Sequence, residues 1–208
     1  FNTLITKEKV KLFFENTFTN VASLMPTLEE DFFTNPTSSL VTVKCFPWIR
    51  DDKFALIGDA AHAIVPFFGQ GMNCGFEDCL VLNSLIDKHE QNWKLILEEY
   101  QVLRKPDGDA IAELALTNFV EMRDKVADPR FVFQKKIEAR LHQAHPDRWI
   151  PLYSQVTFQP QTPYHIAYQN GQEQQKFMNR ILDLIPVDKI NDEAWIDALL
   201  HQEIQHFV

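Results

Sequence analysis

The chain has 208 residues, of which 45% are apolar, 12% aromatic and 24% charged. This composition is typical of a globular protein and excludes a disordered, collagen-like or linker-like chain, and the length suits one domain or a large piece of a longer protein. The formal charge of −9 and the absence of a basic run argue against nucleic acid and anionic membranes as partners.

The cysteines and the start of the chain bear on its compartment. Cys45, Cys74 and Cys79 form no CxxC pair of the metal-binding kind, and an odd number fits a disulfide framework poorly. We therefore predict no metal site and a reducing compartment, the cytoplasm, with Cys74 and Cys79 buried rather than reactive. The chain begins at Phe1 without a signal peptide, so we expect it to be part of a longer protein. We expect no membrane span, which would need about 20 mostly apolar residues.

The first predicted elements are one helix and two short strands. Thr6 can cap a helix that ends near Phe18. The alternating residues 40–46 and the apolar run 54–57 predict two strands. Two short strands do not form a stable sheet alone. We therefore expect a missing N-terminal part, and self-association through the exposed sheet edge.

The rest of the pattern is mainly helical. One helix is predicted from Met72 to about His89, and further helices over about 92–103, 107–126 and 131–144. Prolines then break the chain between residues 146 and 163, before two last helices, of which the final one has an apolar face. Its members are Trp195, Ile196, Leu199, Leu200 and Ile204. We also interpret the four tryptophans as packing residues, namely Trp48, Trp93, Trp149 and Trp195.

These elements predict a mixed α+β fold, with few strands first and a mainly helical portion after them. We divide the chain into residues 1–90, which hold the end of a sheet and a ligand-binding motif, and residues 91–208, a mainly helical domain.

The chemical signal lies in residues 56–78, LIGDAAHAIVPFFGQGMNCGFED. A predicted strand ends at Gly58 and Asp59, which places a carboxylate where open α/β sheets bind ligands. Asp59 can accept hydrogen bonds from sugar or polyol hydroxyls. The sequence Gly69–Gly71 directly precedes a helix, whose free N–H groups favour an anion. The structural alternative is an ordinary turn followed by the loop before a helix cap.

This block closely resembles the second flavin-binding motif of the FAD-dependent aromatic monooxygenases. Its form PFFGQGMN resembles the members of that family that hydroxylate L-kynurenine. The similarity extends to TNFVEMR (117–123) and WIPLYSQVTF (149–158), in the family's order, and so covers about residues 40–158. The resemblance implies the C-terminal half of an enzyme of the soluble bacterial type, with FAD as cofactor, NADPH as co-substrate and a Rossmann half missing.

The resemblance also implies roles for individual residues in cofactor binding. Asp59 would bond the ribityl or ribose part of FAD. The loop 69–73 would lie along the isoalloxazine ring, where the helix N-terminus would stabilise negative charge on the reduced flavin. The implied cofactor-binding residues are Gly58, Asp59, Pro66, Gly69, Gln70, Gly71, Met72 and Asn73.

Four further residues match substrate positions of the family. Phe67 and Phe68 would stand beside the substrate ring, and Asn118 and Tyr153 would hold its amino-acid end. The structural alternatives are core aromatics, a buried amide on a helix and a tyrosine at a core edge. We expect His62 to be a satisfied polar residue rather than a base. We predict no catalytic residue, because the amino group of L-kynurenine activates its own ring.

Two other functions remain open. One is a flavin hydroxylase acting on a benzoate or phenol, although Asn118 and Tyr153 suit an amino-acid tail better. The other is a non-catalytic helical interaction module with flavin-binding remnants. The chain contains no GxGxxG fingerprint for the FAD pyrophosphate, and the family's carboxylate-binding arginine would lie in the missing half. We therefore predict that the chain alone does not hydroxylate a substrate.

Overall fold

The computed structural model describes residues 2–207. The chain folds into two compact units, Phe1–Leu40 and Val41–Val208. The first unit contains helix α1 (Lys7–Thr17), a 3-10 turn (Ala22–Leu24) and helix α2 (Leu28–Thr34). The Thr6 hydroxyl accepts a hydrogen bond from the backbone N–H of Lys9 at 3.4 Å. The predicted first helix and its cap are therefore confirmed.

The second unit begins with extended chain and one small hairpin. Strand β1 (Ile49–Arg50) pairs antiparallel with β2 (Phe54–Ala55), which confirms the start of the predicted strand 54–57. The strand predicted over 40–46 is wrong. That segment finds no partner strand within residues 2–207, although Val43 donates its N–H to the Ala63 carbonyl at 2.8 Å. An alternating pattern predicts which face is buried, but a strand also needs a neighbour for its backbone groups.

Helices make up most of the second unit. They are α3 (Asp59–His62), α4 (Gly71–Lys88), α5 (Trp93–Val120), α6 (Pro129–Ala144), α7 (Leu152–Phe158), α8 (Tyr164–Leu184) and α9 (Glu193–Glu203). Shorter helical segments are the π-type Glu121–Lys125 and the 3-10 turns Val187–Lys189 and Ile204–His206. The predicted order of a little sheet followed by many helices is confirmed. Among the described helices, none combines the length and the apolar character that crossing a bilayer requires.

Helix α5 replaces two predicted helices. The sequence pattern separates 92–103 from 107–126, but the structure shows one helix with Pro106 inside it. Proline removes a backbone donor and normally breaks a helix. Here the Arg104 guanidinium bonds the Asp107 carboxylate at 3.0 Å across the proline, and both side chains are buried. We attribute the continuity of the helix to this pair.

Helix α5 lies at the centre of the core and packs mainly against α4 and α8. One apolar cluster joins these helices to the loop before α4, a second joins α6, α8 and α9, and a third surrounds Trp48 and Tyr100. Ile196, Leu200 and Ile204 are buried in the second cluster, which confirms the predicted apolar face of the last helix. The loop before α4 is thus held against the helical core.

Two predictions of burial are wrong. Trp93, the first residue of α5, is 45% exposed and is therefore not the packing residue that was predicted, whereas Trp48 and Trp149 are buried in the core. Cys79 is exposed although Cys74 is fully buried. The two cysteines are five residues apart on α4, which is about 140° beyond one full revolution of a helix, so they lie on different faces.

Candidate functional site

The segment between β2 and α4 starts with a glycine turn. Gly58 has φ of 59° and ψ of −138°, a backbone conformation that side-chain-bearing residues avoid, and it immediately precedes α3. Asp59 is the first residue of α3, and its side chain is exposed. Its carboxylate makes no hydrogen bond to any residue between 2 and 207, so it remains available to a ligand.

A tight turn then leads into α4. The N–H of Gly69 donates to the Pro66 carbonyl at 3.1 Å, and Gly69 has φ of 70°. A Cβ added at Gly69 would meet no atom within 4 Å, so this side of the loop faces open space. No side chain caps the N-terminus of α4, where Met72 and Asn73 are exposed. The free N–H groups there favour an electron-rich group.

A buried charged network lies beneath the glycine turn. The Asp78 carboxylate is 0% exposed and accepts from the Gly58 N–H at 2.9 Å and from Arg104 Nε at 2.7 Å. His62 Nε2 lies 2.6 Å from the same carboxylate and donates to it, because an ionised carboxylate can only accept. Asp78 therefore joins the turn before α3 to helices α4 and α5.

The charges of this network explain the protonation of its members. Burial raises the pKa of Asp78, but hydrogen bonds from His62, Arg104 and Gly58 outweigh burial and hold that pKa below its ordinary value. Burial also lowers the pKa of Arg104, yet its contact with Asp78 and the neighbouring acidic groups raises it overall. Asp78 and Arg104 thus form a buried ion pair.

His62, Cys74 and Asp78 also place potential metal-ligand atoms within 4.8 Å of one another. Burial raises the pKa of the Cys74 thiol to about 12. One observation argues against a metal there. The guanidinium of Arg104 lies 3.4 Å from the Cys74 sulfur and brings a positive charge to the same place. We interpret the cluster as an ion-pair network in which His62 is bonded through Nε2. Its buried Nδ1 has no partner in the described chain, so the prediction of a satisfied polar residue is met only in part.

Three of the four predicted substrate residues line one cavity of about 450 Å³ between α5, α6, α7 and α8. They are Phe68, Asn118 and Tyr153. The Tyr153 ring stacks on Phe68 at 5.7 Å, and its hydroxyl makes no hydrogen bond within the described part of the chain. A groove of about 490 Å³ near Lys44 and His165 contains none of the predicted site residues.

Phe67 is placed differently and does not line this cavity. Its ring packs on Phe119 at 4.5 Å, and its carbonyl accepts a hydrogen bond from Asn118 Nδ2 at 2.6 Å. One N–H of the Asn118 amide therefore holds the loop, and its second N–H and its Oδ1 are left to face a ligand. Asn118 thus supports the loop and lines the cavity at once.

Sequence reasoning missed the polar residues on the far side of the cavity. Glu121, Lys135, Glu138, Gln174 and Gln175 all line it. Glu121 lies within the block TNFVEMR, which was a signal for it. The other four residues come from α6 and α8, and the sequence pattern did not predict that these helices meet α5 at this cavity.

Comparison with known proteins identifies a matching family model and several similar proteins. The model of the FAD binding domain family matches residues 40–115. A protein of Flavobacterium johnsoniae named kynurenine 3-monooxygenase is 53% identical over 91% of this chain and 42% of its own length. Proteins of the same name from Flavobacterium psychrophilum and Christiangramia forsetii are 50% and 45% identical over 99% and 98% of this chain.

The chain spans less than half the length of these relatives, between 42% and 45% of each. The family match nevertheless covers part of the candidate site, because residues 40–115 include the glycine turn, the loop before α4 and α4 itself. Residues 40–115 match the model of the FAD binding domain family, and over nearly its whole length the chain is similar to proteins named kynurenine 3-monooxygenase.

Proposed function

We propose that this chain is part of an FAD-dependent aromatic monooxygenase that converts L-kynurenine to 3-hydroxykynurenine with NADPH and O₂. The main support for the proposal is that one residue belongs both to the loop before α4 and to the cavity. Phe68 belongs to the loop before α4 and also lines the 450 Å³ cavity. A cofactor ring along the loop would therefore be adjacent to a substrate in the cavity. The relatives' name supports the choice of substrate.

The loop and the glycine turn fit FAD in three respects. The free carboxylate of Asp59 suits the hydroxyls of a ribityl or ribose group. The open side of Gly69 leaves room for a flat ring, next to the turn that begins at Pro66. The uncapped N-terminus of α4, residues Gly71 to Asn73, suits the electron-rich edge of a flavin. When bound, FAD supplies the oxidation chemistry, taking reducing equivalents from NADPH and activating O₂.

The cavity fits an aromatic amino acid. The stacked rings of Phe68 and Tyr153 offer an apolar wall, and the free Tyr153 hydroxyl can donate to a carboxylate. The Oδ1 of Asn118 can accept from an ammonium group while its Nδ2 holds the Phe67 carbonyl. We propose that Phe67 shapes the cavity by supporting the loop, since its ring packs against Phe119.

The protein's own contribution is then to orient the substrate and to exclude water. No strong base is required, because the aniline nitrogen activates the neighbouring ring carbon. The chain lacks a GxGxxG segment, so we propose that the cofactor pyrophosphate and the substrate carboxylate are held partly by residues outside these 208. The isolated chain is accordingly expected to be inactive, and self-association of that chain stays a prediction, testable by sedimentation.

The test uses the complete protein that carries this chain, reconstituted with FAD. We expect L-kynurenine to stimulate NADPH oxidation and to gain one oxygen atom beside its amino group. Tyr153→Phe should raise the KM for L-kynurenine, whereas Tyr168→Phe, the same change at a residue that does not line this cavity, should leave it unchanged. Hydroxylation of benzoates or phenols but not of L-kynurenine would contradict the proposal and favour the other hydroxylase.

A further inference from the structure

Tyr164 connects α8 to the loop before α4. It is the first residue of α8 and is 4% exposed, and its hydroxyl donates to Gln70 Oε1 at 3.2 Å. Asn73 Nδ2 donates to the same oxygen at 2.8 Å. Burial raises the pKa of Tyr164, and the charge of Glu77 and a hydrogen bond with the Glu77 carboxylate, a second acceptor near the same hydroxyl, raise it further. The hydroxyl therefore stays protonated and remains a donor over the whole working pH range.

These two donors determine which way the Gln70 amide faces. The oxygen and nitrogen of a primary amide diverge from one carbon, so two donors on Oε1 direct Nε2 away from Tyr164 and Asn73. That nitrogen has no hydrogen-bond partner in the described chain, and it is not among the fully buried unpaired atoms. Gln70 Nε2 thus keeps two donors for a group that approaches the loop from outside.

Tyr164 is itself held firmly in place. The next residue, His165, donates its backbone N–H to Asp107 Oδ1 at 2.9 Å, and its Nδ1 lies 2.7 Å from the same oxygen. The other oxygen of Asp107 accepts from Arg104 at 3.0 Å. The start of α8 is therefore fixed to α5 by two contacts of His165 with the buried Asp107 carboxylate. A tyrosine at this point has little freedom to leave Gln70.

We propose that Tyr164 is a positioning residue, whose hydroxyl holds the Gln70 carbonyl so that the Gln70 amide nitrogen donates to a bound heteroaromatic ring. The ring must carry carbonyl oxygens or ring nitrogens as acceptors, as an isoalloxazine does. The inference rests on the proposed flavin site. It adds Tyr164 of α8, which acts on the flavin through Gln70 of the loop.

The test compares four forms of the complete protein with the wild type. They are Tyr164→Phe, Gln70→Met, the double variant and the control Tyr168→Phe. Tyr168 lies one turn further along α8, is half-buried and makes no hydrogen bond to a described residue. FAD affinity is measured by titration of flavin fluorescence, the flavin absorbance spectrum reports the environment of the ring, and thermal unfolding reports stability.

We expect Tyr164→Phe to weaken FAD binding about two- to tenfold, the range for one hydrogen bond, and to shift the flavin absorbance. Tyr168→Phe should do neither. Because Tyr164 acts through Gln70, the double variant should bind FAD no more weakly than Gln70→Met alone.

Three outcomes would overturn the inference. The first is Tyr164→Phe behaving like Tyr168→Phe. The second is additive losses in the double variant. The third is a loss of thermal stability in Tyr164→Phe with an unchanged flavin spectrum and affinity, which indicates a purely structural tyrosine. A wild-type protein that binds no FAD would overturn the proposed function together with this inference, whereas the three outcomes above leave the proposed function standing.

Discussion

Replacing Asp78 by asparagine tests the buried network beneath the glycine turn. The carboxylate accepts from Gly58, His62 and Arg104, and no part of it is exposed to solvent. An asparagine at this position would keep nearly the same shape but would remove the negative charge opposite Arg104. The side chain would also present an N–H₂ group to donors that need an acceptor. We expect the turn before α3 to loosen with the loss of this charge.

The size of the effect follows from what remains around Arg104. Removing one partner of a buried ion pair costs about 3–5 kcal/mol, because the other charge is left uncompensated. Arg104 retains Asp107 at 3.0 Å and Glu77 at 3.1 Å. The loss in the free energy of unfolding should therefore lie near the lower end, about 3 kcal/mol. The control Asp109→Asn breaks only a partly exposed pair with Lys105 and should cost less than about 1 kcal/mol.

The lowered pKa of Asp78 determines how the free energy of unfolding changes with pH. The stability contributed by the charged carboxylate is present above its ordinary pKa of about 4 and is lost as the pH falls through its lower value in the folded protein. Urea denaturation from pH 7 to pH 2 measures both effects. The difference between wild type and Asp78→Asn should shrink in acid. Equal costs for Asp78→Asn and Asp109→Asn at pH 7 would refute the reasoning.

Two further predictions concern α4 and α5. Cys74 should resist alkylation by iodoacetamide at pH 8, because burial raises its pKa to about 12, whereas the exposed Cys79 should react. Peptide mass spectrometry distinguishes the two cysteines, and equal labelling would contradict the burial of Cys74. Gly108→Ala should cost about 1–3 kcal/mol of unfolding free energy, because its Cβ would lie 2.9 Å from the buried Trp48 ring. Gly75→Ala, whose Cβ would lie 3.5 Å from the Gly58 Cα, should stay within about 1 kcal/mol of wild type, and equal losses would refute the steric argument.

Patterns within short stretches of the sequence were sufficient to predict several elements correctly. The Thr6 cap, the start of α4 and the apolar face of α9 depend on residues within a few turns of each other, and all three agree with the structure. Residues 63–70 form the predicted loop before α4, although Asp59–His62 form a short helix that the sequence pattern did not predict. Such features need only capping, glycine conformation and periodicity, which are properties of short stretches.

The remaining features depend on contacts between distant segments. Residues 40–46 alternate like a strand, but they lack a neighbouring strand in the described chain. Pro106 resembles a helix end until Arg104 and Asp107 are seen to pair across it. The Asn118 amide bonds a carbonyl 51 residues away, a contact that no local pattern predicts. Asn118 and Tyr153 could be singled out only through resemblance, although both line one cavity.

The origin of the oxygen atom in the product decides whether the proposed chemistry is right. The complete protein, loaded with FAD, is given NADPH, L-kynurenine and isotopically labelled O₂, and the product is analysed by mass spectrometry. The account predicts one labelled oxygen atom on the ring carbon beside the amino group. NADPH oxidation with unmodified L-kynurenine, or a hydroxylated product that carries no label, would contradict it.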